Sequence, residues 1–156
     1  MMEERSSPSV KHRKNFILSF YKILEMIPEA IPAFVLRLGV SLVFFRSGLA
    51  KLQENSWALS QQTIFLFRDE YHMPFPELSA YVATSVELLG PLMLLFGIGS
   101  RIAAAAMLGM TLVIQIFVYP ESYPDHLMWL GPLLYIVLRG PGNLSFDCLF
   151  RKITDK

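Results

Sequence analysis

Residues 34–57 read FVLRLGVSLVFFRSGLAKLQENSW, and the fold turns on what that stretch is. The apolar run suits a membrane span, yet Arg37, Arg46 and Lys51 place three full charges along it. A charge at the centre of a bilayer costs about 2.5–3.5 kcal/mol on insertion scales. At 100° per residue, Arg37, Ser41, Phe44, Gly48 and Lys51 fall within about 40° of one stripe. That stripe mixes charged, polar and small groups, so it is expected to face the interior of a bundle. Arg46 points the other way, about 6 Å from the span midpoint at 1.5 Å per residue. From there it can snorkel outward or meet a neighbouring helix.

The rest of the chain supplies the neighbours. Of its 156 residues 53% are hydrophobic and 17% charged, with mean hydropathy +0.43; soluble domains hold about one-quarter charged residues. Four apolar segments stand out, at about 32–52, 78–98, 102–119 and 127–139. The last is short against the ~20 residues a spanning helix needs, with Arg139 as an interfacial anchor. Pro28 and Pro32 punctuate the start of the first segment, GIGSR turns the chain between the second and third, and YPESYPDH between the third and fourth. The expected fold is all-α: a polytopic membrane four-helix bundle over residues 32–147, after a basic interfacial segment at 1–31 and before a tail at 148–156. Phe16, Phe20, Leu24 and Ile27 recur at helical spacing, so residues 1–31 should hold an amphipathic interfacial helix and no cleavable signal peptide.

Charge sets an orientation. Arg5, Lys11, Arg13, Lys14 and Lys22 precede the first span, Arg101 follows the second, and Arg139, Arg151, Lys152 and Lys156 border the end of the fourth. The alternate loops carry Arg68 alone, so both termini are expected in the cytoplasm. Trp57, Tyr71, Tyr119, Tyr123 and Trp129 would form an aromatic belt at the opposite interface. In the long loop there, Ser56 is the expected cap of a short amphipathic helix from Trp57 to about Arg68, its Leu59, Thr63 and Phe67 face resting on the bundle or the bilayer. Ser145 or Asn143 can cap a last amphipathic piece carrying Phe146, Leu149, Phe150 and Ile153.

Glu87 is the single charge of the second span, and a carboxylate there must be paired, hydrogen-bonded or protonated. Antiparallel packing brings it near the depth of Arg46 and Lys51. Gln115 and Tyr119 of the third span and His126 of the fourth lie at a similar depth. The candidate ligand pocket therefore comprises Arg37, Arg46, Lys51, Glu87, Gln115, Tyr119 and His126, opening toward the long loop. The plainer alternative is that a buried cation paired with Glu87 fixes helix register. His126, in a turn beside Asp125 and Glu121, reads as polar surface rather than a metal ligand, and no metal site is assigned. Cys148, the one cysteine, permits no internal disulfide and no C-x-x-C pair, and reads as packing. A net charge of +1 offers no nucleic-acid surface.

The motifs RLGVSLVFFRSGLAKL, VELLGPLMLLFGIGSR and GPGNLSFD, spread from Arg37 to Asp147, resemble the DoxX family of small bacterial four-helix membrane proteins. Arg37, Lys51 and Glu87 match family-motif positions, and Gly39, Gly48, Gly97, Arg101 and Asp147 match as structural ones. The resemblance implies a bacterial inner-membrane protein, a membrane subunit of a redox or sulfur- and thiol-handling system. It implies redox or peptide-modifying partner proteins and a quinone as the cofactor to consider, and assigns no catalytic residue. Two other readings stand beside it: a small transporter or export component for an anion, sulfur species or metal-related solute, and a structural scaffold. Ala103 to Ala106 and Gly109 permit close helix packing and hence a homo-oligomer.

Overall fold

A computed structural model describes residues 18–22 and 25–154. Most of the expected amino-terminal interfacial helix, Phe16 and Leu24 included, lies outside the described residues. Its described part, 18–22, is helical, with Leu18, Phe20 and Tyr21 exposed.

Four long helices make the bundle, each packed on its neighbours around a ring: α1 (Ala30–Ala50), α3 (Pro76–Phe96), α4 (Ser100–Val113) and α5 (Tyr123–Arg139). α4 continues through a π-turn, Ile114–Val118, and a 3-10 turn, Pro120–Ser122, leads into α5. Ala30–Ala50, Pro76–Phe96 and Ser100–Val118 are long and apolar enough to cross a membrane. α5 starts four residues before the expected 127 but still has 17 residues, about 25 Å at 1.5 Å each, against a hydrocarbon core of ~30 Å. α1 and α3 each begin two residues earlier than the hydropathy suggests, at Ala30 and Pro76. Pro32 and Pro76 lie in first turns, where the missing N–H would have no helical partner.

The polar stripe of α1 faces inward as its spacing requires: Arg37, Ser41, Phe44 and Gly48 are buried. At Gly48 α1 packs closely on α3. A Cβ there would stand 2.9 Å from the Leu88 side chain and 3.1 Å from that of Glu87. Gly39 differs, being exposed with nothing within 4 Å of a Cβ, so packing within the chain does not call for glycine there. The apolar core (Val40, Phe44, Leu94, Ala103, Ala104, Met107, Leu133 and Ile136) fills the middle of the bundle.

The long loop departs from its expected form. The short helix α2 is Gln61–Phe65, extended by a π-turn over Leu66–Glu70. Its cap is Ser60, whose Oγ accepts from the Thr63 N–H at 3.1 Å. Ser56 instead accepts from the Ala58 N–H in a preceding turn, and Trp57 is exposed. The choice of cap is tertiary. The Lys51 carbonyl ending α1 accepts from the Ser60 N–H at 3.0 Å and the Thr63 hydroxyl at 2.9 Å. Leu59, Thr63 and Phe67 do face the bundle, where Leu59 and Phe67 pack with Ala80. The loop thus folds over the end of α1 as a cover. The end of the bundle bearing this cover is called here the loop end, and the opposite one the tail end.

At the tail end, α6 (Phe146–Thr154) is capped by Ser145, whose Oγ accepts from the Cys148 N–H at 3.2 Å. Asp147 joins the tail to the bundle. Its carboxylate accepts from the N–H groups of Gly99 at 2.8 Å and Ser100 at 3.0 Å, the start of α4. That placement sets a negative charge on the positive end of the helix dipole.

Candidate functional site

At the loop end a cavity of ≈ 730 Å³ is lined by α1, α3, α4, α5 and the cover. Its walls are mostly apolar and aromatic. Phe44 and Trp129 meet edge to face with ring centroids 5.6 Å apart, and Phe67, Met73 and Phe75 descend from the loop. The polar groups lie where α1 meets α3. Lys51 Nζ stands 2.6 Å from Glu87 Oε2 and donates to Ser47 Oγ at 3.0 Å; Ser47 donates to Glu87 Oε1 at 3.1 Å. Helical side chains lean toward the helix amino terminus, so Lys51, just past the end of α1, reaches back over Ser47 one turn below and down to Glu87. The carboxyl group is nearly buried (4% exposed) and the lysine side chain is 21% exposed. An ammonium has three donors. Two are engaged among the described residues, leaving one beside the cavity.

Two further polar groups border the cavity. His126 Nδ1 lies 2.6 Å from Gln115 Oε1, and the imidazole ring centroid is 5.2 Å from that of Trp129. At the rim, Tyr119 donates to Glu70 Oε1 at 3.2 Å, so the 2.9 Å contact between the two phenols has Tyr71 as donor and Tyr119 as acceptor. Burial, and then the hydrogen bond to Tyr119, push the Tyr71 phenol well above its ordinary range, so it stays protonated at physiological pH.

Lys51, Glu87, Tyr119 and His126 line the cavity, Gln115 meets it only through its contact with His126, and two of the candidates lie elsewhere. Arg37 is fully buried at the other end of the bundle, where it donates to the carbonyls of Leu94 and Leu144. It lies 14 residues before Lys51 on the same helix, about 21 Å away, too far to share the pocket. Arg46 is exposed on the outward face of α1. His126 is corrected in the other sense: it is 4% exposed, an interior residue rather than polar surface. Because α5 begins at Tyr123, His126 sits within its first turn and is turned toward Gln115. Among the described residues no three His, Cys, Asp or Glu side chains gather as a metal site. Trp129 and Tyr71, read from sequence as belt residues, line the cavity.

Ser47 is the functional-site residue that the sequence reading passes over. Its signal was present: it lies four residues before Lys51, the spacing of facing side chains on a helix. Of the positions matched as structural, Gly48 lies at the contact of α1 with α3 and Asp147 clasps the start of α4, whereas Gly39 has no packing role within the chain. Gly97 has φ +72° and its Cβ would meet Arg37 Nη1 at 2.7 Å. Cys148 is buried with Sγ 3.6 Å from Asn143 Oδ1.

No solved structure matches the chain. An uncharacterized protein of Haemophilus influenzae is 27% identical over 141 residues, covering 83% of this chain and 90% of that protein. The DoxX family model matches residues 33–120, which contain the Lys51–Ser47–Glu87 cluster, the cover above it and both cavity walls from α3 and α4; the chain belongs to the DoxX family of membrane proteins.

Proposed function

We propose that this DoxX-family membrane protein is the membrane subunit of a redox or thiol-handling system, and that its loop-end cavity receives the head group of a quinone or a similar amphipathic small molecule. The observation that supports this reading is the placement of the Lys51–Ser47–Glu87 cluster at the polar side of an otherwise apolar, aromatic cavity of ≈ 730 Å³. Such a site takes a flat apolar ring and orients it by a few polar contacts. Lys51 has a remaining donor for a carbonyl oxygen, and Glu87 holds that ammonium in place from a position shielded from water. The aromatic faces of Phe44 and Trp129 suit a ring, and the Tyr71 phenol, its proton donated to Tyr119, offers only its oxygen as an acceptor at the rim. A bound quinone would supply two-electron, two-proton chemistry; the residues present bind and orient its head group.

The apolar core weighs against simple passage of a solute. On every long helix it lies between the loop-end cavity and the tail end: Val40 below Ser47, Leu94 below Glu87, Met107 below Met110, Leu133 below Trp129. A transport cycle would have to part all four helices.

Trp129 reports on occupancy. With the exposed Trp57 replaced (W57F), a short-chain ubiquinone analogue titrated into the detergent-solubilised protein should quench Trp129 fluorescence saturably. Lys51→Ala should weaken that binding about tenfold or more, the worth of one lost charged hydrogen bond. Quenching that stays linear in quinone and is unaltered by Lys51→Ala would remove the ligand from this cavity. Purification from the native membrane without any partner protein would remove the subunit role.

A further inference from the structure

The tail end holds a second cleft, of ≈ 850 Å³, whose chemistry is unlike that of the first. Arg101 from the first turn of α4, Arg139 from the last turn of α5 and Arg151 from α6 all line it. They come from three helices, and all three side chains are exposed. The ion pairs among the described residues, Lys51–Glu87 and Arg68–Glu77, use none of them. Two carboxylates border the cleft, Glu29 and Asp147. Asp147 is already engaged, both its oxygens accepting from the N–H groups of Gly99 and Ser100. Three cations therefore converge with one carboxylate left to oppose them, an arrangement that an anion stabilises.

The shape of the cleft narrows the anion. The Arg101 guanidinium lies along the Gly140 backbone, its Nε 3.4 Å and Nη2 3.5 Å from where a Cβ would stand. These are ordinary van der Waals contacts, at a turn whose φ of +87° favours glycine. The guanidinium thus lies beside the turn, and its charge suits phosphate oxygens. Beside the cations the surface turns apolar. Ile102, next to Arg101, is 74% exposed and Tyr135 is 37% exposed on the cleft wall. α6, which supplies Arg151, leaves Phe146, Leu149, Phe150 and Ile153 exposed at i, i+3, i+4 and i+7 spacing. A free phosphate has no use for such surroundings. A lipid does, with its head group in the cleft and its chains along the helices.

We propose that this cleft binds the phosphate head group of an anionic membrane lipid, with Arg101, Arg139 and Arg151 as its ligands. Basic pockets between membrane helices hold lipid head groups elsewhere by the same electrostatics. The proposal is independent of the loop-end cavity and of any redox role.

The test is native mass spectrometry of the full chain in mild detergent, with dioleoyl phosphatidylglycerol, dioleoyl phosphatidylcholine or inorganic phosphate added. Phosphatidylglycerol should stay bound at collision energies that strip phosphatidylcholine, and millimolar phosphate should not displace it. The double variant R101Q/R139Q should weaken phosphatidylglycerol binding about twentyfold and the single variant R151Q about fivefold, the worth of roughly one surface charge each. R46Q, an exposed arginine on α1 away from the cleft, should bind as the parent does. If the double variant fails to fold, R151Q and the charge-keeping R101K/R139K carry the comparison, with loss in the first and retention in the second. Equal retention of the two lipids, or unchanged phosphatidylglycerol binding in R151Q and R101Q/R139Q, would overturn the proposal. Displacement by inorganic phosphate would overturn the lipid as occupant and assign the cleft to a soluble phosphate.

Discussion

Lys51 Nζ and Glu87 Oε2 stand 2.6 Å apart although Lys51 ends its helix and Glu87 lies in the middle of another. The two helices are staggered, α3 running on past the end of α1, and the loop closes over the gap. The pair is thereby set below the surface, and removing one member strands the other. Glu87→Leu alone should destabilise the protein by about 3 kcal/mol, the lower part of the range for a broken buried pair because Lys51 retains some exposure. Lys51→Met added to Glu87→Leu should recover most of that loss. Thermal unfolding in detergent measures both. Recovered stability with quinone quenching still abolished would separate the site's binding role from its packing role. Loss of stability equal in the double and single variants would show that Glu87 acts through some group other than Lys51.

The cap of α2 gives a second expectation. Ser60→Ala should cost about 1 kcal/mol, as loss of an N-cap does, and should speed hydrogen exchange at the Thr63 amide. Ser56→Ala, which removes a contact in an exposed turn, should cost a few tenths at most. The reverse ranking would place the start of the helix at Trp57 after all.

What the sequence made legible, and what it did not, divides along the range of the forces involved. The inward stripe from Arg37 to Lys51 is a matter of helical period within one segment, and it stands. The Lys51–Glu87 meeting follows from antiparallel packing of adjacent spans. The cap of α2 does not follow from local sequence, because two serines offer the same side chain. Only the Lys51 carbonyl, nine residues before Ser60, selects between them. Arg37 shares a helix face with Lys51, which suggests one pocket, but nearly four helical turns separate the two along the axis. The acidic neighbours of His126, Glu121 and Asp125, suggest a surface position. The early start of α5 and the acceptor offered by Gln115 put it inside. The Arg101, Arg139 and Arg151 cleft was visible as a charge bias for orientation, while its convergence needed the packing of three helices.

Tyr71 gives an expectation in pH. Its phenol is held above the ordinary tyrosine range by burial and by donation to Tyr119. A raised folded-state value means that the folded chain keeps a proton the unfolded chain releases above about pH 10. The stability from this phenol is complete below that pH and is lost as the pH rises through the folded value. Tyr71→Phe should therefore be the weaker protein near neutrality and the less alkali-sensitive one. Absorbance at the phenolate wavelength should show a late-titrating tyrosine that Tyr71→Phe removes. A variant whose alkaline unfolding coincides with that of the parent would argue against the Tyr71–Tyr119 bond.

At the other end, Asp147 ties the tail to α4 with two short bonds to the Gly99 and Ser100 amides. Gly97 makes this possible. Its positive φ turns the chain where a Cβ would collide with the Arg37 guanidinium, and its carbonyl accepts from the Asp147 N–H at 2.8 Å. Two changes should then act through one structure. Asp147→Asn keeps the shape but removes the charge from the helix terminus, and should cost about 1 kcal/mol. Gly97→Ala strains the turn itself and displaces Arg37, and should cost about 2 kcal/mol or more. Both should release the tail, read as faster hydrogen exchange at Gly99, Ser100 and Cys148. The two changes should also fall short of additivity when combined, since the first to loosen the turn removes what the second would break. Full additivity would mean that the Gly97 turn and the Asp147 clasp hold the tail independently.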